Sequence, residues 1–562
     1  MDFFGKPRRD SVAFSCFYCD CDQVIEMADE LLLPMPDDKK KALEEEEDII
    51  SKAIGEFGKW QLLVTFLLSL FNVPCTWHIF APTFHSAERD TWCARPDNFK
   101  NVAPSLWKNC TGQLSDFCTM LDVRNVTESD LCFYSEGLDR VTCKNWEFGG
   151  QGETIISEFN LVCDRKSLNS FGEMMFLAGV AIGGLVCGIL SDKYGRKRTL
   201  MASVLIQSLL GTVIAFSPWF LMYAILRAAL GFISVSVVFS GFVLSIELVG
   251  GNWRTVAGIS YLFPVSLSYM SIAGIAWLLR EWRHLQLAIS LPGWIIPESP
   301  RWLLAVGRTE EVMVVLEKAA KANGRDLPPN IDKQLMPESS EEPAENVNVL
   351  DLFKTTQMRK KTMCLFLIWF SVYLVYYGLV LNLGNIGGNL YVNSVLQGAV
   401  EIPAVAISIF ILLKGGRRWP LSLTMIISGV ACACTLPLYL FNNLQWVTTS
   451  LAMLSKFCIS SSNAVMPVFT AELYPTTIRN IGVGAANVSA GIALMLVPLR
   501  STRACRCRCW RFSASWGGLS VLFLPETGGA PLIETIKEVK HVERIGEEDK
   551  RETKRINNNC CT

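Results

Sequence analysis

Apolar runs as long as a bilayer is thick recur along this chain, and no other feature narrows its fold as much. A spanning helix needs ~20 apolar residues. Spans are expected at 60–82, 171–191, 199–217, 219–247, 255–279, 284–297, 361–382, 389–413, 419–440, 446–468, 478–498 and 512–524. The sixth and the twelfth fall short of that length. Half of the 562 residues are hydrophobic, and the net charge is −1. The charges collect in loops and tails, so no nucleic-acid surface is implied. Loops 192–198, 301–325 and 414–418 are rich in Lys and Arg, which places them on the cytosolic side, and both termini with them.

One of these loops is the turn Gly188-Ile-Leu-Ser-Asp-Lys-Tyr-Gly-Arg-Lys197. Lys193, Arg196, Lys197 and Arg198 crowd a connection too short to be a domain. Gly195 is expected to make a tight turn that a Cβ would resist, and Gly188 to let helix ends approach. Asp192 offers a carboxylate to a neighbouring helix end or arginine.

The chain divides into a polar N-terminus at 1–55, a six-span half at 56–300, a cytosolic stretch at 301–360, a second six-span half at 361–530 and a tail at 531–562. Within the first half, 83–168 is a long polar segment expected outside the cell, where disulfides persist. It holds Cys93, Cys110, Cys118, Cys132, Cys143 and Cys163, and the sequons at Asn109 and Asn125. Spacing alone leaves the connectivity open. Cys16-Phe-Tyr-Cys19-Asp-Cys21 lacks the further ligands of a zinc site. No metal or cofactor is implied, and Cys560 and Cys561 read as part of a tail. Residues 308–324 carry helical periodicity through Val312, Leu316 and Ala320, as in an interfacial helix, and 328–348 read as linker.

The halves echo each other. Glu247 is followed by Arg254, and Glu472 by Arg479 at the same spacing, each pair at the cytosolic end of a span. Lys414-Gly-Gly-Arg-Arg418 is a weaker counterpart of the first hairpin. Parallel six-helix repeats about an axis along the membrane normal mark one class of secondary transporter.

With these motifs in place, the chain resembles a major facilitator superfamily transporter, within the organic cation/carnitine transporter family. The hairpin at 188–197, Pro297-Glu-Ser-Pro-Arg-Trp-Leu-Leu304, Lys318-Ala-Ala-Lys-Ala-Asn-Gly324 and Ala471-Glu-Leu-Tyr-Pro-Thr-Thr-Ile-Arg-Asn480 carry the likeness, with the cysteine-bearing loop. The resemblance implies an all-α polytopic fold of twelve helices in two halves, a plasma-membrane location and no enzymatic activity. It implies small organic cations or zwitterions as substrates, moved by alternating access, with Na+ or H+ as candidate coupling ions. An organic anion transporter of the same fold and a transport-inactive receptor or scaffold are the alternatives.

Charges inside a membrane mark pathways or structural pairs. Arg227, four residues before Gly231, matches an RxxxG that in the superfamily accompanies the binding cavity. Lys456 lies mid-span among Ser455, Ser460, Ser461 and Ser462, and needs an acidic partner or a substrate carboxylate. Glu401, next to Pro403 in the eighth span, is a candidate counter-charge. Tyr376 and Tyr377, with Trp369 and Phe370, form an aromatic wall suited to ammonium groups. His78 is a titratable group in the first span. By resemblance, Asp192, Arg196, Glu247, Arg254, Glu472 and Arg479 form a gate that pairs in one conformation and separates in another. A position in the eleventh span that is acidic in cation carriers and arginine in anion carriers of the family falls here on Gly491.

Two stretches depart from the pattern. The sixth span is cut short at Leu291-Pro-Gly-Trp-Ile-Ile-Pro297. Residues 498–511 hold Arg500, Arg503, Arg506, Arg508 and Arg511 where an apolar helix should begin. Arginine at a helix centre costs roughly 2.5–3.5 kcal/mol, so the run cannot span. The family pattern resumes at Gly517 and closes on Phe523-Leu-Pro-Glu-Thr-Gly528. Resumption after a biased run suggests a local reading-frame or splice error; a genuine variant with a degraded last helix is the alternative.

Overall fold

The computed structural model describes residues 55–527, except 56, 88, 114–116, 124–130, 133–138, 251–252, 291–316, 325–351, 382–388, 439–444, 476–477 and 498–512. The Cys16–Cys21 cluster, Cys560 and Cys561, Asn125 and the arginine run lie outside the described residues.

Hydrocarbon offers backbone groups no water, so a spanning segment closes its hydrogen bonds within a helix. The chain does so in α1 (Lys59–Leu70), α2 (Asn72–His85), α3 (Lys166–Tyr194), α4 (Arg196–Ala215), α5 (Phe220–Glu247), α6 (Trp253–Ser260) and α7 (Phe263–Leu278). After the short α8 (Trp282–Ala288) come α9 (Thr356–Leu381), α10 (Leu390–Lys414), α11 (Arg418–Leu438), α12 (Gln445–Leu473), α13 (Arg479–Leu496) and α14 (513–521). Among the described residues, six helical segments are long and apolar enough to cross a membrane by length and composition. The remaining helices fall, in order, on the other expected spans. Large side chains such as Leu62, Phe66, Leu209 and Phe410 lie exposed on the outer faces, as lipid contact requires.

Proline breaks the first and fifth spans. Pro74 and Pro264 lack the N–H that would close each helix across its break, at Phe71 and at Tyr261–Leu262. The two breaks face one another. Asn72 Nδ2 donates to the Tyr261 carbonyl at 2.7 Å, so one interruption satisfies an acceptor released by the other.

Packing repeats between the halves. In the first, α3 lies on α5, α4 on α5 and α2 on α7; in the second, α10 lies on α12, α11 on α12 and α9 on α13. The halves meet through α7 on α10 and α3 on α13, which are equivalent contacts in a twofold repeat. Small residues allow the close approaches. A Cβ on Gly179 would stand 2.0 Å from the Ala228 carbonyl oxygen, and one on Gly231 2.1 Å from that of Phe176. At the interface between halves, a Cβ on Gly398 would lie 2.7 Å from Met270 Cγ and from the Ser266 oxygen. Gly188, expected to serve this purpose, has no neighbour within 4 Å of a Cβ built on it. Gly195 does turn the chain between α3 and α4, at φ +98° and ψ +141°, a conformation that suits glycine.

Between α2 and α3 the cysteine-bearing segment is too small to build a large core, and disulfides staple it. Cys93 pairs with Cys143, Cys110 with Cys132 and Cys118 with Cys163. Antiparallel β1 (Thr91–Cys93) and β4 (Trp146–Phe148), and β2 (Thr119–Leu121) and β3 (Arg140–Thr142), form two small sheets. Trp92, Phe99, Trp107 and Val123 pack beneath them. Asn109 is exposed at the end of the helix Pro104–Cys110. Glu158 ties the segment to the membrane domain by accepting from Arg283 and from the Trp282 indole.

Burial alone would raise the Glu147 carboxyl. Hydrogen bonds from the Trp92 indole and from the Arg95 backbone and guanidinium outweigh it and hold the group below the usual carboxylate range. A lowered folded-state value means stability that is present above the unfolded value, about 4, and lost as pH falls through the folded one. Limited proteolysis of the full-length protein should therefore cut the extracellular segment faster as pH drops below about 4, and Glu147→Gln should flatten that dependence. Gly398→Val should cost roughly 1–3 kcal/mol by overpacking, read as an earlier melt of the detergent-solubilised protein; an unchanged melt would show that α7 and α10 separate freely.

Candidate functional site

Where the halves meet, four buried side chains from four helices converge. Tyr269 comes from α7, Tyr376 from α9, Glu401 from α10 and Lys456 from α12, each at most 4% exposed. The Tyr269 hydroxyl donates to that of Tyr376 at 3.1 Å, and the Tyr376 hydroxyl donates to Glu401 Oε1 at 2.7 Å. Lys456 Nζ lies 3.2 Å from Glu401 Oε2. The same ammonium sits 3.4 Å from the centroid of the Tyr376 ring and 5.0 Å from that of Tyr269. Attraction of a cation to a ring face contributes ~0.5–2 kcal/mol. The structure thus brings together three of the residues singled out from the sequence and adds Tyr269.

The aromatic wall on α9 resolves into two faces. Trp369, Tyr373 and Tyr377 recur every four residues and stack in a ladder, with centroid separations of 5.7 and 5.8 Å. Phe80 of α2 continues it at 5.9 Å from Tyr377. Trp369 anchors the lower end by donating to Thr470 Oγ1 at 2.9 Å. Tyr376 faces away from the ladder, toward the charges.

Arg227 is 1% exposed on α5, and its guanidinium lies over the Phe176 ring at 4.3 Å. It donates from Nη1 to the His78 carbonyl at 2.9 Å. That carbonyl is free because Pro82, four residues on, has no N–H to return to it. Arg227 therefore satisfies a backbone acceptor in the first span, well apart from the tyrosine–glutamate–lysine cluster. The His78 ring is fully buried beside it. At Gly491, α13 presses on α3, and a Cβ would stand 2.2 Å from Ala181 Cβ. The contact leaves no room there for a charged side chain.

At its hairpin, each half builds the same ion pair. Arg196 of the first hairpin lies 3.3 Å from Glu247 at the end of α5, and also donates to Ser191. Arg417 of the second hairpin lies 3.1 Å from Glu472 at the end of α12. The sequence spacing marked Glu472 with Arg479, whereas the described partner of Glu472 is Arg417, because the hairpin folds back over that helix end. Glu526 of the closing motif then accepts from the backbone N–H groups of Arg417 and Arg418, at 2.7 and 3.0 Å. A carboxylate at a helix start is favourable. The Thr527 hydroxyl donates to Glu472. Arg254 donates to the Val249 carbonyl at 3.0 Å. The side chains of Asp192, Lys414 and Arg479 lie outside the described residues. Arg417, Glu526 and Thr527 sat in stretches already noted as motifs, but nothing in the sequence joined them.

A model of the sugar (and other) transporter family matches residues 152–524. The organic cation transporter protein of Drosophila melanogaster is 35% identical over 520 residues, covering 88% of this chain and 94% of that protein. Solute carrier family 22 member 13 of Homo sapiens is 33% identical over 510 residues, covering 87% and 92%. This chain belongs to the organic cation transporter family. It is a multi-pass membrane transporter and not an enzyme. The xylose transporter XylE from E. coli, in a partially occluded inward-open conformation, superposes with a TM-score of 0.58 at 14% identity. The superposition covers 84% of this chain and 99% of that one, and shows the major facilitator fold.

Arg417→Gln should leave the protein at the cell surface and slow uptake by removing the partner of Glu472. Exchanging the two charges (Arg417→Glu with Glu472→Arg) should recover part of the rate; equal rates in the single variant and the parent would exclude a gating role for the pair.

Proposed function

We propose that this protein carries small organic cations or zwitterions across the plasma membrane by alternating access, with both termini in the cytosol. The observation that supports this reading is the Tyr269–Tyr376–Glu401–Lys456 cluster at the meeting of the halves. Substrates of such transporters bind near the midplane between repeats. A carboxylate beside aromatic faces is the chemistry that recognises an ammonium group. The relatives named as organic cation transporters favour the same substrate class.

The paired hairpins supply the conformational half of the mechanism. Arg196–Glu247 and Arg417–Glu472 each hold the end of one helix to the turn between two others. Holding these contacts favours one conformation, and releasing them favours the other. The Lys456 ammonium is the one feature of the cluster that suits an organic anion.

Uptake of radiolabelled tetraethylammonium, carnitine and benzoate in cells expressing the protein separates these classes. Saturable uptake of the cation or the zwitterion, lost in Glu401→Gln at unchanged surface labelling, is the expected result. Saturable uptake of benzoate alone would assign the anion class. No saturable flux despite surface labelling would favour a transport-inactive receptor.

A further inference from the structure

The cluster is already occupied by a cation of its own. Lys456 Nζ holds the carboxylate of Glu401 at 3.2 Å and sits 3.4 Å from the Tyr376 ring centroid. Those are the two contacts that an ammonium substrate would seek. Taking the cluster as the binding site, we propose that Lys456 is a tethered competitor: a monovalent organic cation takes its place on Glu401 and Tyr376, and Lys456 yields its proton to water as it does so.

The argument rests on charge balance in a buried site. Lys456 and Glu401 together are neutral, and both are almost wholly enclosed, at 0% and 3% exposure. A second cation beside a charged lysine would leave an uncompensated positive charge in a medium that screens poorly. Conversion of the side-chain ammonium to amine and proton removes that excess. Only an N–H bond breaks, its electron pair stays on nitrogen, and the proton passes to water when the site opens. One cation enters and one proton leaves.

Among the described residues, Glu401 is the acid paired with that ammonium. From α7 and α9 the ammonium is faced by the phenols of Tyr269 and Tyr376, with Tyr377 beside them, and from α10 by Glu401. On the side of α11, the same helix is met by uncharged groups: Ser428 bonds Ser455, and Thr424 bonds Ser462. Arg227, another deeply buried base, donates to the His78 carbonyl. A lysine can deprotonate in such a place, whereas an arginine cannot.

The test compares the parent with Lys456→Arg and Lys456→Met, each quantified at the surface by biotinylation. Tetraethylammonium uptake by the parent should climb as pH rises, by up to about tenfold per unit on the acid side of the lysine's titration. Lys456→Arg keeps the ion pair but cannot release a proton, and should lose uptake by about tenfold or more. Lys456→Met should take up the cation with a lower KM and no pH dependence; the double variant with Glu401→Gln controls for folding, since it removes both charges. Independently, adding tetraethylammonium to the purified parent in weak buffer should release protons, detected by an indicator dye, and the Lys456→Met protein should release none. Saturable uptake with one shared pH profile in the parent and Lys456→Arg would overturn the proposal and leave the transport reading intact. Surface-labelled parent protein without saturable uptake of any of the three probes would overturn the transport reading, and this proposal with it.

Discussion

A hydrocarbon interior gives a polar group no water, so every charge or freed carbonyl carried into it has to find a partner inside the fold. The most deeply buried ion pair among the described residues is Lys456 against Glu401, where removing either partner alone leaves an uncompensated charge at a cost of about 3–5 kcal/mol. The same rule explains contacts that look unrelated. Pro82 frees a carbonyl, and Arg227 of another helix takes it. The breaks at Phe71 and at Tyr261–Leu262 meet, and Asn72 spans them. Polar residues in the membrane domain are thus placed as answers to one another, which fixes which helices touch.

The repeat gives these contacts their arrangement. Equivalent helices pack on equivalent helices in the two halves, and each half sets a hairpin arginine on a glutamate. The two ends differ in how the hairpin is held. The second carries no aspartate of its own, and Glu526 reaches its backbone from the far end of the half. The two ion pairs thus match in geometry and differ in what supports them.

Much of the architecture was legible in the chain. The span positions follow from apolar run length, because a bilayer of fixed thickness selects helices of fixed length. The six cysteines between the first two spans were legible as a set, but their pairing was not, since pairing depends on which strands come together. Lys456 and Glu401 could each be recognised as expensive, and their partnership suspected. Tyr269 was missed: a tyrosine in an apolar helix reads as packing until its hydroxyl is seen to bond another. Gly188 was misjudged for a similar reason, because a glycine shows its purpose only through what stands opposite. The close approaches fall instead at Gly179, Gly231, Gly398 and Gly491.

By itself the sequence determined a polytopic helical protein of a transporter family and a short list of buried charges that demanded partners. Tertiary structure decided who the partners are. Glu472 answers to Arg417, Arg227 to a carbonyl released by proline, and Lys456 to a carboxylate and two tyrosines from three other helices. The physical reason is that burial cost is a property of a residue and its helix, readable locally, whereas satisfaction of that cost is a distance between helices, which exists only once they are packed.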